Sequence, residues 1–286
     1  MASNQVKTFR SQLEVEARSF DSTLTYYLEH YPYPASQLYE AATYSVAPPA
    51  HRWRPILFVR VYNKFARETS ETDVFAIACA IEFLHTASII LDDLPCMDDG
   101  KIRRGRVACH LVFGESRAIA AALWLCDVAQ HLLHNAAKDV DLENLFRETK
   151  TEMMKGQVLD LEGKNLPKDE IIAKYRMKSG ALYAFTASAP ALMHNNADAA
   201  NTLSAFGNYL GIAYQISDDI HDQVDSVATL SKDVHKDVDK DTIPGLLGLK
   251  KAAQMRDAYR LEATNKLSAL PLVFEDLIQL AEEICR

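Results

Sequence analysis

The sequence predicts an all-α protein, a single domain of about ten or more helices. Three observations predict it. Apolar residues recur at helical spacing along most of the chain, and the alternation of a strand is hard to find. Chain breakers are sparse, with ten glycines and ten prolines among 286 residues, so long uninterrupted elements are expected. No repeat, low-complexity tract or shift of composition marks a boundary, so residues 1–286 read as one domain.

In order along the chain, residues 3–30 form an amphipathic pattern closed by a Tyr-Pro-Tyr-Pro run. Pro48 and Pro49 mark a second break. A helix resumes near Pro55, a residue tolerated in a first turn. Residues 72–92 are apolar on nearly every face, the signature of a long buried helix. Glu82 and His85 lie within that run and make it a poor membrane span. Helical patterns continue over 115–137, 141–163, 168–194 and 198–223. Residues 226–242 are polar and aperiodic, hence a loop, and helices resume to the C-terminus.

Composition narrows the function. The chain is 48% hydrophobic and 24% charged, the balance of a protein with a large core. Its net charge of -8 argues against nucleic-acid binding, which needs a basic footprint. Five scattered cysteines with no CxxC pair suggest neither a zinc site nor a disulfide framework. The first residues are charged and lack a signal-peptide core, so a cytoplasmic protein without a membrane span is expected.

The chemistry is concentrated in two acidic clusters. In "IILDDLPCMDDGKIRRG" (89–105) an apolar helix ends in Asp92 and Asp93, followed by Asp98 and Asp99 and then Lys101, Arg103 and Arg104. A helix C-terminus is the negative end of the macrodipole and disfavours carboxylates. A bound divalent cation reverses that cost. The second cluster, "YQISDDIHDQ" (214–223), carries Asp218, Asp219 and Asp222. Asp218 and Asp222 are one turn apart on one face, with Gln215 a turn earlier. Carboxylates alone repel phosphate. Carboxylates holding Mg²⁺, with Arg103, Arg104, Lys178 and the loop lysines Lys232, Lys236 and Lys240 around them, make a diphosphate site. The two clusters are expected to face each other across one cavity.

These residues resemble the trans-isoprenyl diphosphate synthases, the farnesyl and geranylgeranyl diphosphate synthase family. The likeness runs from about Arg52 to Leu249 through "EFLHTASIILDD", "DDLPCMD", "RRGR", "GQVLDL" (156–161), "KSGAL" (178–182), "DDIHD" and "KDTIPGLLGL" (240–249). It implies an orthogonal helical bundle around a central cavity and commonly a homodimer. It also implies condensation of isopentenyl diphosphate with an allylic diphosphate by Mg²⁺-assisted ionisation, with three ions as the expected complement.

By position, Asp92, Asp98 and Asp218 would ligate the metal directly, and Asp93, Asp219 and Asp222 would add further or water-mediated ligation. Arg103, Lys178, Ser179, Gln215 and Lys232 would hold the allylic diphosphate. His51, Arg54, His85 and Arg104 would hold isopentenyl diphosphate. The chain departs from the pattern at His51, where lysine is usual, and at Ser179, where threonine is usual.

Product length should depend on the residues below the first cluster. Ala87, five before Asp92, stands where farnesyl-type members often carry an aromatic floor, and Ser88 is also small. That favours geranylgeranyl diphosphate, with farnesyl diphosphate second. Leu84 and Trp124 are the bulky candidates for a floor, and core packing or a dimer contact is the alternative for Trp124. Two other readings are a non-catalytic subunit of the same fold, favoured by the His51 departure, and a terpene cyclase. The cyclase is disfavoured by the second aspartate motif.

Overall fold

The apolar run at residues 72–92 folds as α4 (Glu71–Asp92), and its burial shows why it is apolar on nearly every face. In this computed structural model, which describes residues 2–31, 36–65, 71–137, 141–224 and 240–286, the side chains from Ile77 to Ile81 and that of Phe83 are 0% exposed. A helix apolar on all faces is covered on all faces. By length and composition α4 is apolar enough to cross a membrane, yet most of it is packed inside the protein.

The chain groups into two compact units, Met1–Val59 with Thr69–Ala136, and Arg60–Glu68 with Ala137–Arg286. The first contains α1 (Ala2–Glu29), α2 (Ser36–Val46), α4, α5 (Cys109–Phe113) and α6 (Glu115–Ala136). The helix α3 (Trp53–Phe65) gives its first residues to this unit and Arg60–Phe65 to the other. The helix α6 packs on α4 through Ala118, Ala121, Ala122, Leu125 and Val128, all 0% exposed. Small residues at three- and four-residue spacing let the two helices approach closely. The helix α2 lies between the two proline breaks, where the sequence suggested no element.

Between α4 and α5 the backbone makes a tight turn and then a hairpin. Pro95 stops α4, and the Asp98 amide donates back to the Asp92 carbonyl at 2.9 Å. The hairpin pairs β1 (Ile102–Arg103) with β2 (Arg106–Val107). Its two turn residues, Arg104 (φ 53°) and Gly105 (φ 70°), both have positive φ, as a type I′ turn requires. Arginine rarely adopts this conformation, so the turn is held by what Arg104 binds.

The second unit is built around α10 (Ala197–Val224), with α9 (Ala181–Met193) and α12 (Leu249–Leu267) against it. It also holds α7 (Leu142–Glu162), α8 (Lys168–Tyr175), α11 (Ile243–Leu247) and α13 (Glu275–Ile284). The stretch expected as one helix over 168–194 is interrupted. Arg176–Gly180 form a π-helical turn between α8 and α9. Such turns insert one residue into a helix and recur at functional sites. Ile171, Tyr175, Ile212, Ile216, Ile243 and Ala252 form a buried cluster that fixes the acidic end of α10. Each buried isoleucine stabilises it by about 1.5–3 kcal/mol. Most of the expected polar loop, including Lys232 and Lys236, lies outside the described residues. Thr242 caps α11 by accepting from the Gly245 amide at 3.1 Å.

Candidate active site

In the first unit, Asp92 closes α4 half-buried, and Asp93 follows, 2% exposed. A carboxylate this deep needs a partner. Arg103 on the hairpin supplies it. Its Nη2 and Nε reach Asp93 Oδ1 at 2.6 and 3.0 Å. The structure therefore joins two residues that the sequence assigned to different tasks, metal and diphosphate. Asp98 is half-buried on the same turn.

The expected isopentenyl diphosphate residues also lie in this unit. Arg54 donates from Nη1 to His85 Nε2 at 3.2 Å, which places the neutral imidazole's proton on Nδ1. Burial, then the charges of Arg54, Arg104, Arg103 and Arg52, hold the His85 pKa well below the ordinary value. Burial lowers the Arg104 pKa to about 10, so it stays charged at neutral pH. His51 lies at the surface, stacked on Trp53 with centroids 4.7 Å apart and 5° between planes. Its pKa is lowered, first by the protein around it and then by Arg104.

Glu82 explains how so many cations coexist. It lies 2% exposed on α4 and accepts from Arg52 Nη1 at 2.6 Å and Arg104 Nη2 at 3.1 Å. Arg52 also donates from Nε to Asp21 at 2.9 Å. Burial alone would lower the Arg52 pKa, but Glu82 and Asp21 hold it above the ordinary value. Arg104 Nη1 donates to the Ser45 carbonyl at 2.9 Å, which accounts for its strained turn. The sequence signal for this network was a lone glutamate in an apolar helix, since buried acids are seldom unpaired. A cavity of about 30 Å³, room for one water, lies among Thr86, Asp93, Arg103, Arg104 and Cys109.

In the second unit, Asp219 is 2% exposed and turned to protein partners. Gln215 Nε2 donates to its Oδ1 at 2.9 Å, and the Tyr175 hydroxyl donates to its Oδ2. Ser179 Oγ donates to Gln215 Oε1 at 2.5 Å. The Tyr175 oxygen accepts from the Ile243 amide at 2.9 Å, tying α8, α10 and α11 together. Asp218 is half-buried and Asp222 is 5% exposed, one turn apart. Lys178 Nζ meets Asp160 at 2.7 Å, and Lys240 Nζ meets it at 3.0 Å. Tyr175 carried no signal in the sequence.

Two glycines make this arrangement possible. A Cβ on Gly211 would lie 2.4 Å from Gly180 Cα, and one on Gly156 would lie 2.3 Å from Lys178 N. Both contacts are to backbone that cannot swing away. The π turn carrying Lys178 and Ser179 is thus seated between α7 and α10 by two absent side chains.

Among the described residues, no three His, Cys, Asp or Glu side chains gather closely enough to hold a metal ion by themselves. The donor set is hard oxygen, from one or two carboxylates at a time. That suits Mg²⁺, which takes few protein ligands and completes its shell with water and phosphate oxygens.

Comparison with known proteins decides the family. The profile of the polyprenyl synthetase family matches residues 35–277, running through both units. The chain belongs to the polyprenyl synthetase family. Farnesyl diphosphate synthase of Bacillus subtilis is 34% identical to this family member over 93% of the chain and 94% of that protein. The mitochondrial geranylgeranyl pyrophosphate synthase 10 of Arabidopsis thaliana is 32% identical over 88% of the chain and 77% of that protein. Among solved structures, Helicobacter pylori geranyltransferase complexed with magnesium and isoprenyl diphosphate matches at TM-score 0.80 and 26% identity. It covers 96% of this chain and 95% of that one. The fold is that of the isoprenoid synthases, and the relatives support prenyltransferase activity.

The expected product-length residues all lie in the first unit. Ala87 is 1% exposed and Leu84 is 4% exposed, both on α4, and Ser88 Oγ bonds the His85 carbonyl at 2.8 Å. Trp124 is 8% exposed and meets Tyr31 and Tyr39 edge-on, at 5.7 and 6.5 Å between centroids.

Proposed function

We propose that the chain is a cytoplasmic short-chain trans-prenyltransferase that condenses isopentenyl diphosphate with dimethylallyl, geranyl or farnesyl diphosphate, with geranylgeranyl diphosphate as product. The observation that carries this reading is that each aspartate cluster lies in a unit with its own phosphate-type cations. In the first unit these are Arg54, Arg103 and Arg104. In the second they are Lys178 and Lys240. The family match across 35–277 supports reading both clusters as parts of one enzyme.

Asp92, Asp98, Asp218 and Asp222 would hold Mg²⁺, three ions in all, with Asp93 and Asp219 orienting the clusters from behind. Bound Mg²⁺ supplies Lewis-acid withdrawal of charge from the allylic leaving group. Arg103 and Lys178 stabilise the diphosphate as its charge grows, and Ser179 and Gln215 fix its approach. Arg54, Arg104 and neutral His85 position isopentenyl diphosphate, whose double bond attacks the allylic cation. The apolar wall of α4 excludes water from that cation. The final proton goes to the departed diphosphate, so no side-chain base is required. Chain-length analysis of products from Mg²⁺, isopentenyl diphosphate and each labelled allylic substrate tests the reading. Absence of any elongated product refutes it.

Ala87 favours a twenty-carbon product. Farnesyl diphosphate is the second reading, supported by the name of the Bacillus subtilis relative. If Trp124 is the floor, Trp124→Ala lengthens the product distribution, and an unchanged distribution removes it as the floor. A homodimer through the outer face of α6 fits the exposure of Ile119 (39%) and Leu123 (63%).

His51 gives the isopentenyl diphosphate site a pH dependence. Its lowered pKa leaves it neutral in the free protein at pH 7, and an adjacent phosphate raises it. As pH rises through the pKa of the complex, that charge is lost. KM for isopentenyl diphosphate should therefore rise about threefold between pH 6 and 8.5, and His51→Lys should flatten the profile. A flat wild-type profile overturns this.

A further inference from the structure

Asp160, in the "GQVLDL" stretch, has no role in the reading above, yet three lysines converge on it. It is 8% exposed on α7. Its two oxygens do different things. Oδ1 meets Lys174 Nζ at 2.9 Å. Lys174 is itself 1% exposed and also donates to the Asp241 carbonyl at 2.7 Å. This is a buried, anchored contact that fixes the carboxylate. Oδ2 is shared by Lys178 at 2.7 Å and Lys240 at 3.0 Å, whose side chains are 18% and 13% exposed. Two ammonium groups bound to one atom are held close together against their mutual repulsion. Burial alone would raise the Asp160 pKa, but Lys178, Lys240 and Lys174 hold it well below the ordinary carboxylate range. One carboxylate thus gathers three ammonium groups, and of these Lys178 and Lys240 are the two with partly exposed side chains.

We propose that Asp160 is a positioning residue that holds Lys178 and Lys240 as a two-pronged clamp for the allylic diphosphate, with buried Lys174 as its fixed counter-ion. The inference rests on the prenyltransferase reading for the identity of the substrate. It predicts selectivity that general structural damage would not produce, because the cations assigned to isopentenyl diphosphate belong to other elements. Asp160→Asn removes the negative charge that offsets the lysines' mutual repulsion and leaves a neutral amide whose single oxygen accepts more weakly. Asp160→Glu keeps the charge but moves it by one methylene.

The test uses the full-length protein with Mg²⁺. In Asp160→Asn, KM for the allylic diphosphate should rise about tenfold while KM for isopentenyl diphosphate stays within about twofold, and Asp160→Glu should fall between Asn and wild type. Calorimetric binding of inorganic pyrophosphate with Mg²⁺ should weaken about tenfold in Asp160→Asn, a readout that needs no turnover. Equal shifts in both KM values, or none, overturn the proposal. If Asp160→Asn does not fold, Asp160→Glu carries the test. A selective rise of about threefold in the allylic KM supports the proposal, and an unchanged ratio of the two KM values overturns it. A wild-type protein that binds pyrophosphate in an Asp160-dependent way but elongates no allylic substrate would sink the functional reading and leave the clamp standing. Normal elongation with unaltered Asp160 variants would do the reverse.

Discussion

Asp92→Ala should lower kcat about 10³-fold, or roughly 4 kcal/mol of transition-state stabilisation, while changing unfolding stability by less than about 1 kcal/mol. The reason lies in where Asp92 sits. It closes α4, at the negative end of a 22-residue helix whose interior is apolar. A carboxylate there is disfavoured by the macrodipole by about 0.3–1 kcal/mol. Removing it thus offsets part of whatever local contact it makes. In turnover the same carboxylate is a proposed Mg²⁺ ligand, and neighbouring Asp93 is committed to Arg103 rather than placed to replace it. Steady-state kinetics at saturating Mg²⁺, beside urea denaturation, would separate the two effects. A fall in kcat of less than about tenfold would remove Asp92 from the metal site.

Gly211→Ala has the opposite profile, with its first cost in the fold. Helix propensity alone favours alanine by about 1 kcal/mol at a mid-helix position. Packing reverses the sign. The new methyl would stand 2.4 Å from Gly180 Cα and 2.8 Å from Gly180 N, both backbone atoms of the π turn. Relief requires α10 and that turn to separate, at about 3 kcal/mol or more. A drop in Tm of about 5–10 °C is expected by calorimetry. Because the turn carries Lys178 and Ser179, the protein that remains folded should also show a raised KM for the allylic substrate. An unchanged or higher Tm would show that the close approach is not a constraint.

The sequence disclosed features that repeat at short range. The helical period marked α1, α4, α6, α7 and α10 to within a residue or two, because each buries a stripe or, for α4, every face. The aspartate clusters stood out because acids at the end of apolar runs conflict with local electrostatics. What stayed hidden depends on pairs distant along the chain. Lys240 reaches Asp160 across 80 positions, and Tyr175 reaches Asp219 across 44. The π turn was hidden for another reason. One inserted residue leaves the apolar pattern of 168–194 nearly intact while rotating Lys178 relative to the turns on either side. The hairpin was hidden because its strands have two residues each, too short for alternation to register. Asp93 and Asp219 were legible as candidate metal ligands, but not as the members facing inward to Arg103, Gln215 and Tyr175.

Those inward-facing acids have a practical consequence. Asp93 is paired with an arginine and Asp160 with three lysines, and Asp219 accepts hydrogen bonds from a phenol and an amide. Stripping divalent ions with a chelator therefore leaves none of these three without a hydrogen-bond or ion-pair partner in the interior. The folded chain should survive dialysis against such an agent and regain turnover on re-addition of magnesium, so cation supply can throttle the catalyst reversibly without ever passing through denaturation.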